Sequence, residues 1–137
     1  RLHPVEAVER HFTTFVLPER AVTVAERDGE LAGFLVLGEG QVDGLYLAAS
    51  ARRQGLGRTL IRHAKAASPA GLTLWTFVAN TPARAFYAAQ GFVERSGTNG
   101  DNEEGLPDIL LSWPGAGQGR GAMQGRAPGT VPGTDAR

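Results

Sequence analysis

The 137-residue sequence has no cysteine, no net charge and no long apolar run. Without cysteine there is no disulfide framework, no thiolate zinc site and no covalent cysteine nucleophile, and the redox compartment leaves no mark on the chain. The 14 basic side chains are matched by 14 acidic ones, so no global field draws the protein to nucleic acid or to an anionic membrane. The apolar runs fall well short of the roughly 20 residues that a membrane helix requires, and the first residues lack a basic-then-apolar signal pattern. These absences predict a soluble, cytoplasmic protein with neither a membrane nor a nucleic-acid partner. Its length and its 42% hydrophobic content suit one domain with a modest core.

The zero charge hides an asymmetry. Between Gly44 and Val93 there is no Asp or Glu, while Arg52, Arg53, Arg58, Arg62, Lys65 and Arg84 fall within the block. A run of like charges often only keeps a surface wet. Here it surrounds a glycine turn, which makes a local anion site the alternative.

Gly115–Arg137 is rich in Gly and Pro and almost free of large apolar residues. It cannot bury enough surface to offset the entropy of ordering it, so residues 115–137 are expected to be a disordered tail. The folded unit then occupies residues 1–114. Within it, Val5, Val8, Phe12 and Phe15 fit one face of a helix over Pro4–Phe15, ended by Pro18. Ala21–Arg27 and Glu30–Leu37 read as a hairpin closed at Asp28-Gly29, followed by a third antiparallel strand over Gln41–Ala48. A helix with Leu56, Leu60, Ile61, Ala64 and Ala67 on one face covers Leu56–Ala67. Leu72–Val78 is a short strand. Asn80-Thr81-Pro82 starts a further helix that ends at Gly91, and Phe92–Ser96 and Asp108–Trp113 are the last strands. The order predicts a mixed α/β single domain with one mostly antiparallel sheet flanked by helices.

A strand, a Gly-containing turn and a helix start bring free backbone N–H groups to one point, with the positive end of the helix dipole behind them. Phosphate oxygens fit such a place. Gly55 and Gly57 let the main chain approach closely, and Arg52, Arg53 and Arg58 can reach the remaining oxygens. A Walker A loop would need Gly-Lys-Ser/Thr where Gly57-Arg58-Thr59 stands. The dinucleotide fingerprint would need a third glycine where Leu60 stands and a ribose-binding acid that does not follow.

What remains is Arg52-x-x-Gly55-x-Gly57 directly after Gly44-Leu45-Tyr46-Leu47-Ala48, which resembles motif A of the GNAT superfamily of N-acetyltransferases. Asn80-Thr81-Pro82-Ala83-Arg84-Ala85-Phe86-Tyr87-Ala88-Ala89-Gln90-Gly91-Phe92 is similar to motif B of the same superfamily. The resemblance runs from about Ala21 to Trp113. It implies a GNAT-like sheet and acetyl-CoA as co-substrate. It also implies that the family's first strand and helix precede Pro4, so the domain is expected to be incomplete at its N-terminus.

By resemblance, Leu45, Tyr46 and Leu47 offer main-chain contacts to the pantetheine arm. Arg52, Arg53, Gln54, Gly55, Leu56, Gly57 and Arg58 line the pyrophosphate site, and Asn80 is a helix cap, a donor to the pantetheine amides, or both. Pro82, Ala85, Phe86 and Ala89 form an apolar stripe that does not need Tyr87, about 100° round from Phe86. In the family a tyrosine at this place protonates the departing coenzyme A thiolate, so Tyr87 is the catalytic candidate, with half-buried packing as the alternative.

The base is less defined. Alternation places Gln41, Asp43, Leu45 and Leu47 on one face. Gln41 stands where some members carry a carboxylate, which leaves Asp43 as candidate base or as a surface ion-pair residue. His3, His11 and His63 lack metal-ligand spacing, so no metal is expected. Glu103 and Glu104 lie in an acidic loop that either is solvated or attracts a cationic amine.

The resulting expectation is an acetyl-CoA-dependent N-acetyltransferase acting directly in a ternary complex on a small-molecule or peptide amine, with a homodimer allowed. A coenzyme A-binding module without catalysis is the alternative. A nucleic-acid binder is disfavoured because the arginines gather at one turn without a stacking aromatic series.

Overall fold

A computed structural model describes residues 10–97 and 105–117. The chain groups into two compact units, residues 1–64 and 65–137. Each unit has its own buried apolar centre.

The first unit carries strands β1 (Arg10–Val16), β2 (Ala21–Arg27), β3 (Glu30–Gly38) and β4 (Gln41–Leu47), each antiparallel to the next. Asp28 and Gly29, at φ 55° and 77°, close the β2–β3 hairpin. Two left-handed residues in succession are what a type I′ turn demands, and Asp-Gly supplies them at low cost.

β1 corrects the expected helix over Pro4–Phe15, of which Pro4 to Glu9 lie outside the described residues. Phe12-Thr13-Thr14-Phe15-Val16 is an unbroken aromatic and β-branched run. Such side chains lose rotamer freedom in a helix and fit a pleated surface instead. Strand pairing therefore overrides the helical spacing at Phe12 and Phe15. The Leu17 N–H donates to the Arg20 carbonyl at 2.7 Å to turn the chain into β2, and the hydroxyls of Thr14 and Thr23, directly opposite, lie 2.9 Å apart.

Two bulges set which residues face inward. Between β2 and β3, Ala25 pairs with Gly33 and Glu26 with Leu31, leaving Ala32 as the extra residue. Between β3 and β4, Val36 pairs with Gly44 and Leu37 with Val42, leaving Asp43 as the extra residue. An extra residue shifts the side-chain phase of a strand by one. Val42, rather than Gln41 or Asp43, consequently shares the face of Leu45 and Leu47, which corrects the simple alternation. Thr23, Ala25, Leu35, Leu37 and Val42 are buried in this unit, together with Leu56, Leu60, Ile61 and Ala64.

Helix α1 (Leu56–Ala67) has the expected bounds and inner face, except that Ala67 is exposed. Where it passes β3 the fit is tight. A Cβ on Gly33 would lie 2.5 Å from the Tyr46 carbonyl oxygen and 3.1 Å from a Leu56 methyl.

The second unit holds β5 (Leu72–Phe77), helix α2 (Thr81–Ala89), β6 (Val93–Gly97) and β7 (Asp108–Trp113). β7 pairs antiparallel with both β5 and β6. A strand flanked on both sides can bury adjacent residues on opposite faces, and Leu110 and Leu111 are both buried. Leu72, Leu74, Tyr87 and Phe92 complete this core. Glu103, Glu104, His3 and the tail beyond Gly117 lie outside the described residues. Among the described residues no helix is long and apolar enough to cross a membrane.

Candidate active site

β4 ends at Leu47, and the Ala48 N–H donates to the Ala32 carbonyl at 2.8 Å. A single 3-10 turn over Ala49–Ala51 follows. The chain then passes through Arg53 at φ 64° and Gly55 at φ 81°. A non-glycine residue in the left-handed region is uncommon and concentrates at functional turns. The Gly55 carbonyl accepts the Thr59 N–H at 3.0 Å and the Thr59 hydroxyl at 3.1 Å, which starts α1. The N–H groups of Leu56, Gly57 and Arg58 then precede the first intrahelical bond and have no acceptor within the helix.

Arg52, Arg53, Gln54, Gly55 and Arg58 are exposed, whereas Leu56 and Gly57 are buried. Arg52, Arg53, Gln54 and Arg58 present side chains to the outside, whereas Gly55, Leu56 and Gly57 can meet a ligand only with their main chain. Among the described residues, and apart from its two chain neighbours, no atom lies within 4 Å of where a Gly55 Cβ would stand, so the described part of the turn leaves this space open. On β4, Tyr46 stacks on Phe34 with centroids 5.4 Å apart, while the Leu45 and Leu47 side chains point to the opposite face.

Gln54 has a function in the turn that sequence reasoning missed. Its Nε2 donates to the Ser50 carbonyl at 2.8 Å. Its Oε1 accepts from Arg27 at 2.8 Å and from Arg10 at 3.5 Å, and its main-chain oxygen accepts from Arg10 at 3.1 Å. Arg10 and Arg27 are directly opposite in the β1–β2 register, an arrangement that repels unless something lies between them. Gln54 is that mediator, and it ties the turn to two strands. The contact is long-range in sequence, and no local pattern signals it.

Asp43 lies in the bulge of β4, where its Oδ2 accepts from Arg20 Nε at 3.0 Å. The structure thus places this carboxylate in an ion pair. The His63 ring lies tilted at 36° against Phe12, with centroids 5.2 Å apart. Among the described residues no group of His, Cys, Asp and Glu is arranged to hold a metal.

In the second unit, Asn80 caps α2: its Oδ1 accepts the Ala83 N–H at 3.2 Å, with Pro82 in the first turn. Tyr87 departs from the expected stripe. It is the buried residue of α2, 8% exposed, whereas Pro82, Ala85 and Ala89 are exposed. The stripe of small residues offers little area, and the ring of Tyr87 offers much more. After Gly91, at φ 95°, the chain folds back so that Phe92 meets Tyr87 edge-on at 5.6 Å, with Phe86 on another side at 5.1 Å. Burial pushes the Tyr87 phenol up to about 12. Arg84 donates through two nitrogens to Glu94, at 2.8 and 2.9 Å, and through a third to the Val78 carbonyl at 2.8 Å. The hydrogen bond from Arg84 holds the Glu94 carboxyl below its ordinary value.

Residues 2–92 match the profile of the Acetyltransferase (GNAT) family. Peptidyl-lysine N-acetyltransferase YiaC of Escherichia coli K12 is 36% identical over 92 residues, which are 66% of this chain and 62% of that protein. The solution structure of apo YjaB from Escherichia coli is similar with a TM-score of 0.63 and 29% identity, over 69% of this chain and 65% of that one. A Bacillus anthracis protein solved in complex with acetyl coenzyme A shares the fold, with a TM-score of 0.65 and 17% identity over 80% of this chain and 86% of that one. The fold is the mixed α/β fold of GNAT acetyltransferases. The chain belongs to the GNAT acetyltransferase family, and it spans less than two thirds of the length of YiaC and of YjaB.

Proposed function

We propose that this protein is an acetyl-CoA-dependent N-acetyltransferase that moves the acetyl group directly to a primary amine in a ternary complex, with a peptide lysine as the acceptor. The turn over residues 52–58 carries the reading. It combines two left-handed residues, an open space, N–H groups without helical acceptors and three exposed arginines, which together suit a pyrophosphate. The name of YiaC supports the acceptor class, and the acetyl coenzyme A complex of a protein sharing the fold supports the donor.

In this reading the pyrophosphate lies on the N–H groups at Gly55 to Arg58, with Arg52, Arg53 and Arg58 on its outer oxygens. The pantetheine arm runs along the main chain of Leu45, Tyr46 and Leu47, and the resemblance gives Asn80 a donor role towards the pantetheine amides. The amine nitrogen attacks the thioester carbonyl carbon, forming the C–N bond as the C–S bond breaks. Holding both reactants in one complex turns a bimolecular step into an effectively unimolecular one. The departing thiolate takes its proton from the Tyr87 hydroxyl.

A phenol near 12 is fully protonated at neutral pH and is a weaker acid than free tyrosine, so its proton moves only as negative charge grows on sulfur. The proton lost by the amine goes to water and the Tyr87 phenolate regains one from water, which closes the cycle with free coenzyme A thiol as the leaving group. Asp43, paired with Arg20, is assigned a structural role, and Asp43→Asn is expected to change kcat by less than about two-fold, as for an exposed ion pair. A ten-fold loss would make Asp43 the base.

The direct experiment is coenzyme A release from acetyl-CoA with lysine peptides and small amines, read with a thiol reagent. The chain contains no cysteine to obscure the signal. Binding of acetyl-CoA without release of thiol for any amine would leave a coenzyme A-binding module, and absence of binding would overturn the reading.

A further inference from the structure

The basic residues of this chain are 13 arginines and a single lysine, Lys65. Lys65 stands in the last turn of α1 and is partly buried. Its Nζ donates to the main-chain oxygen of Gln90 at 2.5 Å and lies 5.0 Å from the centroid of the Trp113 ring. Gln90 is the C-terminal cap residue of α2, and its own N–H bonds back to Phe86 and Tyr87. The last carbonyls of a helix have no intrahelical donor, and a cation at that end is favoured by the helix dipole. An ammonium over a tryptophan face is favoured as well.

The neighbourhood is close. A Cβ at Gly91 would lie 3.5 Å from Trp113 Cδ1 and 3.8 Å from Lys65 Nζ. The Tyr87 carbonyl accepts N–H groups from both Gln90 and Phe92, at 2.9 and 3.0 Å. Lys65, Gln90 and Tyr87 are thus linked through the end of one helix.

We propose that Lys65 is a positioning residue for the end of the Tyr87 helix, and that this duty withdraws the only lysine of these 137 residues from acylation. Acetylating Nζ would remove the charge over Trp113 and place an acetyl group between that ring and Gln90. The amine must first leave Gln90 and Trp113, and with them the cap of α2. An enzyme bathed in an acetyl donor would then carry no reactive lysine of its own in this segment. The positioning half rests on the acetyltransferase reading; the shielding half does not.

Shielding is tested on the whole chain with N-acetoxysuccinimide, which needs no enzyme activity. The amine nitrogen bonds to the acetyl carbon, the C–O bond to N-hydroxysuccinimide breaks, and the amine proton leaves with it. Peptide mass mapping should show Lys65 reacting about ten-fold or more slowly than the exposed lysine of an Arg62→Lys variant, given two favourable contacts to break. In guanidinium chloride the two should react alike. Equal rates in the folded protein, or protection that survives unfolding, would overturn the shielding.

Positioning is tested by kinetics. Lys65→Gln should lower kcat about five-fold or more with KM for acetyl-CoA unchanged. Lys65→Arg, which keeps a donor and a cation over the ring, should recover most of the loss. An unchanged kcat in Lys65→Gln, or equal losses in both variants, would overturn it. If the unsubstituted protein turns over no acetyl-CoA, the acetyltransferase reading fails and the positioning half falls with it, while the labelling still decides the shielding.

Discussion

Tyr87 and Phe92 hold each other twice: their rings meet edge-on at 5.6 Å and 65°, and the Phe92 N–H donates to the Tyr87 carbonyl at 3.0 Å. Neither contact uses the phenolic hydroxyl. Tyr87→Phe therefore leaves the packing in place and removes only the proposed proton donor. The expected result is a fall in kcat of about ten-fold or more, the size of a general-acid contribution, with acetyl-CoA affinity and Tm nearly unchanged. An unchanged kcat would remove Tyr87 from the chemistry. Phe92→Ala should instead cost about 3–5 kcal/mol of stability, because it empties a core position.

The same burial sets a pH window for stability. The Tyr87 phenol is raised from 10 to about 12 by desolvation, so the folded state keeps its proton where the unfolded chain has lost it. The contribution is complete below pH 10 and is lost as pH rises through 12, amounting to up to about 3 kcal/mol. Denaturant titrations of the parent and of Tyr87→Phe between pH 9 and 12 (roughly the window set by the two values) should diverge, with the phenylalanine variant losing less stability. Parallel curves would contradict this.

Gly33 and Gly55 should respond to alanine in opposite ways. At Gly33 a methyl group would stand 2.5 Å from the Tyr46 carbonyl oxygen, so Gly33→Ala should cost about 3 kcal/mol or more through overpacking. At Gly55 no atom of the described residues beyond its chain neighbours stands within 4 Å, and the left-handed backbone objects, at about 1–2 kcal/mol. Gly55→Ala should remain folded while acetyl-CoA binding, measured by calorimetry, weakens about ten-fold, since a β-carbon occupies the place of a phosphate. Retained binding would move the pyrophosphate off this turn.

Gln54→Ala removes the mediator between Arg10 and Arg27. Two facing guanidinium groups are left without it, and a loss of about 1 kcal/mol is expected at low salt. Part of that loss should return at 1 M salt (a Debye length of about 3 Å), because screening weakens the repulsion. A Tm difference independent of salt would show that Gln54 acts by packing alone.

The hairpin at Asp28-Gly29, the bounds of α1, the Asn80 cap and the Gly91 stop were legible in the sequence because each depends on backbone chemistry within a few residues. The GNAT motifs were legible for the same reason. β1 is not legible because its apolar residues satisfy a helical spacing as well as a strand, and its pairing partner lies beyond a turn. The burial of Tyr87 is hidden in the sequence because alanines count as apolar while offering almost nothing to bury. The bulge at Asp43 and the Gln54 bridge come from register and from contacts distant in sequence, for which a single strand or turn carries no sign.

The bulge also says something about length. β4 holds one residue more than its ladder with β3 uses, and that residue is Asp43. Removing it would leave Val42, Gly44 and Leu45 in regular alternation against Leu37, Val36 and Leu35, with every inward side chain still inward. Removal of Leu45 or Tyr46 would instead put the remaining residues out of phase with β3. The strand thus tolerates shortening at one place, and that place carries its only carboxylate.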